Sequence, residues 1–543
     1  MENTPIEHEP GQLHGQDENI RQGGSSISPT LSSVHAVILI YLEELAFYLV
    51  ELDVLGASNE KINADLIQAF SELVENVDYS EESLARVVST LYQDLYQAKT
   101  LYADLCKENE VVPSFLKSAI KMSKKFNVNE AIVEGQKFFT KSAEKFDANQ
   151  KEMLEIMLIL LKSICIYMVE LRGLDVNFED AYKAFITMLS MMNFHSLSTK
   201  NLERIIEKYT KLDYILMLKI FDARKEAFGD FVESEVPTST RLGKAILVSG
   251  SNLNELEMVL KATKDRGIDV YTHGQMVVAH TFPRLKAYPN LVGHYGRGIE
   301  YYLSDFSSFH GAIFLTKLSL HKIEHLYRSR VFTTDTIAPV GVNIIKDYDF
   351  EPLIESALSA KGFTKVTEQK SITLGIDEKV FLQKINEVAD KIDKNEIKHV
   401  FLVGVPNKSE SQKEYMEEFL DLLGDDCFAL SFTHTNNKSN VLFANVDYST
   451  PFVYLALDVF MTRHSFDKMK SIVLYTRCEP HTIPTVYNLK YMGVNEVYFQ
   501  DCSPNVVNPG LTDSIRKMIK LQRYTNPKAD FKAMVSKEIT DKS

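Results

Sequence analysis

KAILVSGSNLNELEMVLKATKDRGIDVYTHGQMVVAHT (244–281) is the stretch that decides how this chain folds. AILV at its start is a short apolar run of strand type ended by Ser-Gly, and NLNELEMVLKATKDRG (252–267) carries apolar residues at helical spacing. IDVYTHG (268–274) is a second strand, rich in β-branched and aromatic residues and stopped by His-Gly, after which QMVVAHT runs on in helix-like fashion. Strand, helix and strand at this spacing form a right-handed βαβ unit with parallel strands. Open α/β sheets place ligands beyond the carboxyl ends of their strands. His273, Gln275 and His280, around the end of the second strand, are therefore the first residues to weigh for chemistry.

Working downstream, GAIFLTK (311–317) is a further strand and EPLIESALSAK (351–361) a helix. The pattern then restarts. EKVFLQKINEVADKIDK is a helix, VFLVGV (400–405) a strand, 411–423 a helix and CFALSF (427–432) a strand. TPFVYLALDVF (450–460) and IPTVYNLKYMGV (483–494) read as helices, alternating with the strands KSIVLYT (470–476) and EVYFQD (496–501). KAILVSG and HVFLVGV are similar enough to suggest two sister α/β domains, taken as 239–370 and 371–543.

Upstream, residues 34–238 are rich in helix formers and poor in glycine, and they repeat. YLVEL (48–52) returns as YMVEL (167–171), and AFSELVENVDYSEESLARVV (69–88) is answered by AFITMLSMMNFHSLSTKNLERII (184–206). Both later segments carry Ser or Thr with acids a few residues on, as a helix N-cap requires. Two related antiparallel bundles are expected, joined by a lysine-rich, partly helical connector around 110–148. The apolar runs 36–52 and 153–171 are interrupted by Glu43, Glu44, Glu155 and Lys162, so they read as buried helices and no membrane partner is expected. Residues 1–33 hold five acids against one Arg among Gly, Ser, Pro, Gln and Asn; they are expected to be a disordered tail, without the apolar core of a signal peptide. A net charge of −14 argues against a general nucleic-acid binder. The five cysteines, Cys106, Cys165, Cys427, Cys478 and Cys502, form no CxxC, which fits reduced thiols in a cytoplasmic protein and leaves no local cysteine run for an iron–sulfur cluster.

AILVSGSNLNELE, GIDVYTHGQMVVAHTFPRLKAYPNLVGHYG, RVFTTDTIAPVGV and DCSPNVVNPG resemble the hybrid cluster proteins, the prismane or hydroxylamine-reductase family related to carbon monoxide dehydrogenases. The resemblance covers essentially 34–530 and is strongest at 244–342. It implies a helical domain of paired bundles followed by two doubly wound α/β domains around a shared crevice. It also implies two cofactors, a cubane iron–sulfur cluster held by four cysteines near the N-terminus and a hybrid iron–sulfur–oxygen cluster held by one His, two Glu and four Cys. This chain has no cysteine before Cys106. Carried over position by position, the family's VSGH is VSGS here, which puts Ser251 at the histidine ligand. THGE is THGQ, with Gln275 at the first glutamate, and the first cysteine falls on Ser319. In the last domain the cysteine positions fall on Pro406, His434 and Ser449, and the second glutamate falls on Glu479 of Glu479-Pro480-His481. A serine hydroxyl is a far poorer ligand for iron than a thiolate, an amide carries no charge, and proline offers no side-chain donor.

Competing motifs are few. HKIEH (321–325) fits H-x-x-E-H, in which two imidazoles one helical turn apart share a zinc ion, but no third ligand is identifiable downstream. Cys478 beside Glu479 has no activating neighbour. Cys165, on an apolar helical run, reads as core, and His273 as a structural residue bonding a turn. HYGRG (294–298) reads as a tight turn, and there is no GxSxG, P-loop or GxGxxG. The expectation is a family member without its clusters, with no catalytic residue and no resident metal or other cofactor, working as a binding or structural protein. Its partner would be a protein, either an active paralogue or a second copy. The alternative is an oxidoreductase of the hydroxylamine-reductase type.

Overall fold

The computed structural model describes residues 29–75, 77, 79–121, 123–192, 197–296, 301–321, 323–367, 370–403, 410–432, 438–444, 450–463, 470–475, 482–492, 494, 496–499 and 525–536. Seven helices come first among them: α1 (Pro29–Val54), α2 (Glu60–Ser71), α3 (Glu81–Glu108), α4 (Val128–Lys145), α5 (Ala148–Gly173), α6 (Glu179–Met191) and α7 (Thr199–Phe228). Their starts are written in the capping residues. Asn59, Ser80 and Ser198 each accept a backbone N–H of the first turn, and Asp147 with Gln150 closes a reciprocal capping box. The two segments that repeat in the sequence thus start helices in the same way, at Ser80 and Ser198. Part of α1, Ser32–Val54, is long and apolar enough to cross a membrane, yet 83% of its apolar window is buried inside the fold, against α3, α4 and α6. Its charges are accommodated locally: Glu44 lies 3.4 Å from Lys99 of α3, and burial pushes Glu43 up to about 8.

A six-stranded, wholly parallel sheet follows, built from β2 (Lys244–Ser249), β3 (Ile268–His273), β4 (Leu291–His294), β5 (Ala312–Leu315), β6 (Val331–Thr333) and β7 (Asn343–Ile344). β1 (Ser234–Pro237) stands apart and pairs antiparallel with β8 (Ser371–Leu374), linking the approach to this sheet with the exit from it. The order across the sheet is β4-β3-β2-β5-β6-β7. The chain therefore steps outward from β2 through β3 to β4, then returns to the other side of β2 with β5, so the order reverses between β2 and β5. A helix, α8 (Leu253–Thr263), crosses from β2 to β3. Strands β2 and β5 read as continuous apolar runs because both of their faces are covered.

A second parallel sheet contains β9 (His399–Val403), β10 (Cys427–Ser431), β11 (Val441–Phe443), β12 (Lys470–Tyr475) and β13 (Glu496–Phe499) in the order β11-β10-β9-β12-β13. It has the same outward-and-return logic, with β9 at the centre. Helix Glu378–Asp393 leads into it, and helices Glu410–Asp421, Thr450–Thr462 and Thr482–Tyr491 connect its strands. One apolar core runs from the helices through the first sheet and into this one, and a smaller cluster around Phe401, Phe419 and Met534 backs the second sheet. A buried ion pair ties the helical part to the first sheet. Arg224 of α7 donates to Glu170 of α5 at 2.6 Å and, with its other nitrogen, to the Ser251 carbonyl at 3.2 Å.

Candidate functional site

Ser251, Gln275 and Ser319 follow β2, β3 and β5, three neighbouring strands, at their carboxyl ends. Ser251 and Ser319 flank the reversal between β2 and β5, the place where an open sheet opens a crevice. The turn after β2 passes through Gly250 at φ +126°, a backbone conformation that side chains disfavour. A Cβ there would collide with the hydroxyls of Thr316 and Ser319, so these two side chains lie directly over the glycine.

Thr316 is the hub of this corner. Its Oγ1 accepts the N–H of Ser251 at 3.3 Å and the N–H of Asn252 at 3.4 Å, and it lies 3.1 Å from Ser319 Oγ. A hydroxyl has two acceptor sites and one proton. With both acceptor sites used, the Thr316 proton points to Ser319 Oγ, which accepts it. Ser319 is thus drawn into a hydroxyl pair.

The loop that carries Ser319 is held from behind by carboxylates. Glu255 of α8 accepts the Lys317 N–H at 2.7 Å, Asp335 accepts the Leu318 N–H at 3.1 Å, and Glu75, beyond the end of α2, accepts the Leu320 N–H. Leu318 itself has φ +60°, the left-handed turn that presents these successive N–H groups outward. Glu72 completes the group, accepting from Gln68 Nε2 at 2.8 Å and from the Thr336 hydroxyl. Tyr79 donates to Glu75 at 3.2 Å, and Lys317 Nζ reaches Gln68 Oε1 at 2.8 Å. All four acids are buried. Burial, with the neighbouring Asp335 charge second, pushes Glu72 up to about 8 and Glu75 well above the usual carboxylate range. Burial lifts Glu255 to about 7 and Asp335 to about 6, despite the hydroxyl and N–H donors each receives. No sequence motif announced this clamp, because its four acids are scattered from 72 to 335 and converge only in the fold.

The histidines of the opening stretch are fully engaged. His273 is buried, with Nδ1 3.1 Å from Ser249 Oγ and Nε2 3.4 Å from Asp305. Serine, histidine and aspartate in a row suggest a charge relay, but all three are buried in the packed core, and His273 is 0% exposed, so no substrate reaches the serine. Its bonds join the end of β2 to a helix, rather than closing a turn as the sequence suggested. Thr272 Oγ1 lies 3.1 Å from His280 Nε2 and 3.0 Å from His294 Nδ1. Burial lowers His280 to about 4 and His294 well below the histidine range, so both are neutral. Gln275 opens a 3₁₀ segment, Gly274–Thr281, in place of an α-helix, and is half-buried there.

HKIEH does not form the zinc pair its spacing suggested. The helix begins only at His325, with Glu324 as its N-cap, so His321 and His325 share no helical face. His321 instead packs edge-on against Tyr302, its Nδ1 3.3 Å from the Ser319 carbonyl, and burial lowers it to about 4. Among the described residues no group of three or more His, Cys, Asp or Glu could hold a metal ion. The described thiols do not meet: Cys106 ends α3, Cys165 lies in α5, and Cys427 starts β10. Burial raises Cys165 to about 12 and Cys427 to about 11, the opposite of ligand activation. Pro406, His434, Ser449 and Glu479 lie outside the described residues, as do Cys478 and Cys502.

A parallel-sheet α/β protein with a helical N-terminal part and a strand-order reversal between β2 and β5 is the class these features define. The chain belongs to the Prismane/CO dehydrogenase family, whose model matches residues 74–439. A hydroxylamine reductase of Syntrophobacter fumaroxidans is 26% identical over 527 residues, covering 93% of this chain and 95% of that protein. One from Geobacter sulfurreducens is 25% identical with the same coverage, and one from Zymomonas mobilis is 27% identical over 77% of this chain and 76% of its own length. Among solved structures, alpha subunits of acetyl-CoA synthase/carbon monoxide dehydrogenase with NiZn[Fe4S4] and NiNi[Fe4S4] clusters align over 93% of this chain and 82% of theirs, at 12% identity and a TM-score of 0.44. The iron–sulfur chemistry that the family implies does not fit the described part of the crevice. Its three positions carry two hydroxyls and an amide, one hydroxyl already bonded to Thr316.

Proposed function

We propose that this chain is a family member that works without iron clusters, as a non-catalytic binding or structural protein. The observation that carries the reading is the Thr316–Ser319 hydroxyl pair seated on Gly250, at the position where the family places its first thiolate. Electron transfer to a nitrogen or peroxide substrate needs a redox centre, and a crevice lined by hydroxyls supplies no soft donor for one. The sequence points the same way, with Ser251, Gln275, Ser319, Pro406 and Ser449 at ligand positions and no cysteine before Cys106. The scattered cysteines suit a cytoplasmic setting. The partner is proposed to be a protein, an active paralogue or a second copy of this chain.

The test is metal and sulfide analysis of protein purified without oxygen. The expected preparation is colourless, with iron far below one atom per chain. A brown preparation with a broad charge-transfer band and stoichiometric iron would favour the other reading, an oxidoreductase of the type its relatives are named for.

A further inference from the structure

Between α3 and α4, the described residues of 111–127 run without regular secondary structure, a connection longer than most in a compact protein. The segment is nevertheless fastened down. The Ser114 N–H donates to the Tyr102 hydroxyl at 3.1 Å, the Leu116 N–H to Tyr48 at 3.1 Å, and the Ser123 N–H to Tyr41 at 3.0 Å. Ile120 is buried and Leu116 and Phe126 pack on the core, so the inward face is spent. The outward face is of another kind. Val112 is 89% exposed and Phe115 56%, and Lys117, Lys121, Lys124 and Lys125 are all exposed. No acid occurs from 111 to 129; Glu134 of α4 accepts the Lys121 N–H at 3.0 Å but pairs with Lys137, and none of the four ammonium groups has an ion pair among the described residues. In a chain of net charge −14 this is a pronounced local excess of positive charge beside exposed apolar side chains.

The ribbon also has a direction. Its contacts move from Tyr48 to Tyr41 as its own numbering rises, so it runs antiparallel to α1 and carries Lys124 and Lys125 toward the end of α1 where the chain enters. Tyr41 is twelve residues from Pro29, about 18 Å along a helix. Gly135 of α4, the helix that follows the ribbon, packs against the Ser33 backbone in the first turns of α1. Residues 1–28 enter here. They carry Glu2, Glu7, Glu9, Asp17 and Glu18 against a single Arg21, with Ile6, Leu13 and Ile20 spaced among them. A chain of that length spans up to ~90 Å, several times the distance required. Tethering makes the encounter intramolecular and so raises the effective concentration of the acids at the lysines.

We infer that the acidic N-terminal segment, residues 1–28, docks along the lysine ribbon 111–125 of its own chain. The match is one of charge and composition: acids facing four unpaired lysines, and aliphatic residues facing Val111, Val112 and Phe115. An anionic bilayer suits the ribbon less well. The segment is not an amphipathic helix, its larger apolar side chains are committed to the core, and the remainder of the molecule is acidic. Nucleic acid is disfavoured by the same acidity.

Zero-length carbodiimide cross-linking of the full-length protein, mapped by mass spectrometry, tests this. The expected cross-links join Glu2, Glu7, Glu9, Asp17 or Glu18 to Lys117, Lys121, Lys124 or Lys125 within one chain, and fade in 0.5 M salt as exposed charge pairs do. A full-length variant with all five acids neutralised (Glu2→Gln, Glu7→Gln, Glu9→Gln, Asp17→Asn, Glu18→Gln) is expected to raise the reactivity of those four lysines toward an amine-directed reagent about fivefold, leaving other lysines unchanged. Tail cross-links spread over exposed lysines elsewhere, such as Lys361 or Lys532, would overturn the inference. So would cross-links formed only between molecules, which would make a second copy the occupant. Equal binding of phosphatidylserine vesicles or of a single-stranded oligonucleotide by wild type and the neutralised variant would also overturn it, because the ribbon would then stand open.

Discussion

Replacing Glu72 by Gln probes the acid clamp behind Ser319 most directly. Glu72 is buried among Asp335, Glu75 and Glu255, with Lys317 the nearby cation and the Tyr79 hydroxyl on the far side of Glu75. In the unfolded chain its carboxyl titrates near 4.5, whereas in the fold burial carries it to about 8. A group whose proton is held more tightly in the folded state stabilises that state fully below its unfolded value, and that contribution drains away as pH climbs through the folded value. Each pH unit across this window is worth about 1.4 kcal/mol, so the ceiling for Glu72 alone is ~5 kcal/mol. Glutamine keeps the acceptor for Gln68 and Thr336 and removes the charge. Urea unfolding followed by circular dichroism from pH 5 to pH 8.5 is the assay. The wild-type midpoint should fall across this range, and that of Glu72→Gln should fall less by the share of one carboxyl, since Glu75, Glu255 and Asp335 still lose their protons in the same window. The variant should be within about 1 kcal/mol of wild type at pH 5 and more stable at pH 8.5. A wild-type midpoint that is flat or rising over this range, with the variant parallel to it, would refute the account of the clamp as proton-loaded.

Gly250→Ala should cost roughly 3 kcal/mol or more, since the added methyl meets the Thr316 and Ser319 hydroxyls on a backbone at φ +126°; thermal unfolding checks this, with partial recovery expected in Gly250→Ala/Ser319→Gly. Arg224→Met leaves Glu170 buried without its guanidinium partner and should lose about 3–5 kcal/mol, most of it regained when Glu170→Leu is added. Gln275→Glu restores one carboxylate to the crevice but no sulfur, so iron in the purified variant should stay far below one atom per chain; stoichiometric iron would show that the ligand positions are wrongly assigned.

The central strands were legible in the sequence because burial on both faces leaves short runs dominated by apolar, β-branched and aromatic residues. KAILVSG, IDVYTHG and VFLVGV each hold a strand within a residue or two of the expected limits. The outer strands β4, β6, β7 and β11 were not read, being two to four residues long, too short for any period to show. Gln275 was singled out by its place after a strand, and Ser251 and Ser319 by the family resemblance; the structure puts all three just past strand ends. What surrounds them could not be read that way. Thr316 is an unremarkable threonine in sequence, and its role as a hub appears only when two backbone N–H groups from the neighbouring strand turn arrive at it. The acid clamp was hidden in a similar way, since Glu72 and Glu75 look like the solvent side of a helix end until β6 and its loop close over them.

The carboxylate clamp separates two things that cofactor sites usually combine. Leu318 keeps its left-handed turn, and the peptide groups on either side of Ser319 keep their partners, through Glu75, Glu255 and Asp335, all of which lie behind the loop and away from the crevice. The side chain at 319 is therefore a passenger on a frame built by others. Drift at that residue carries little folding penalty, so its chemistry can change while the architecture around it is inherited intact.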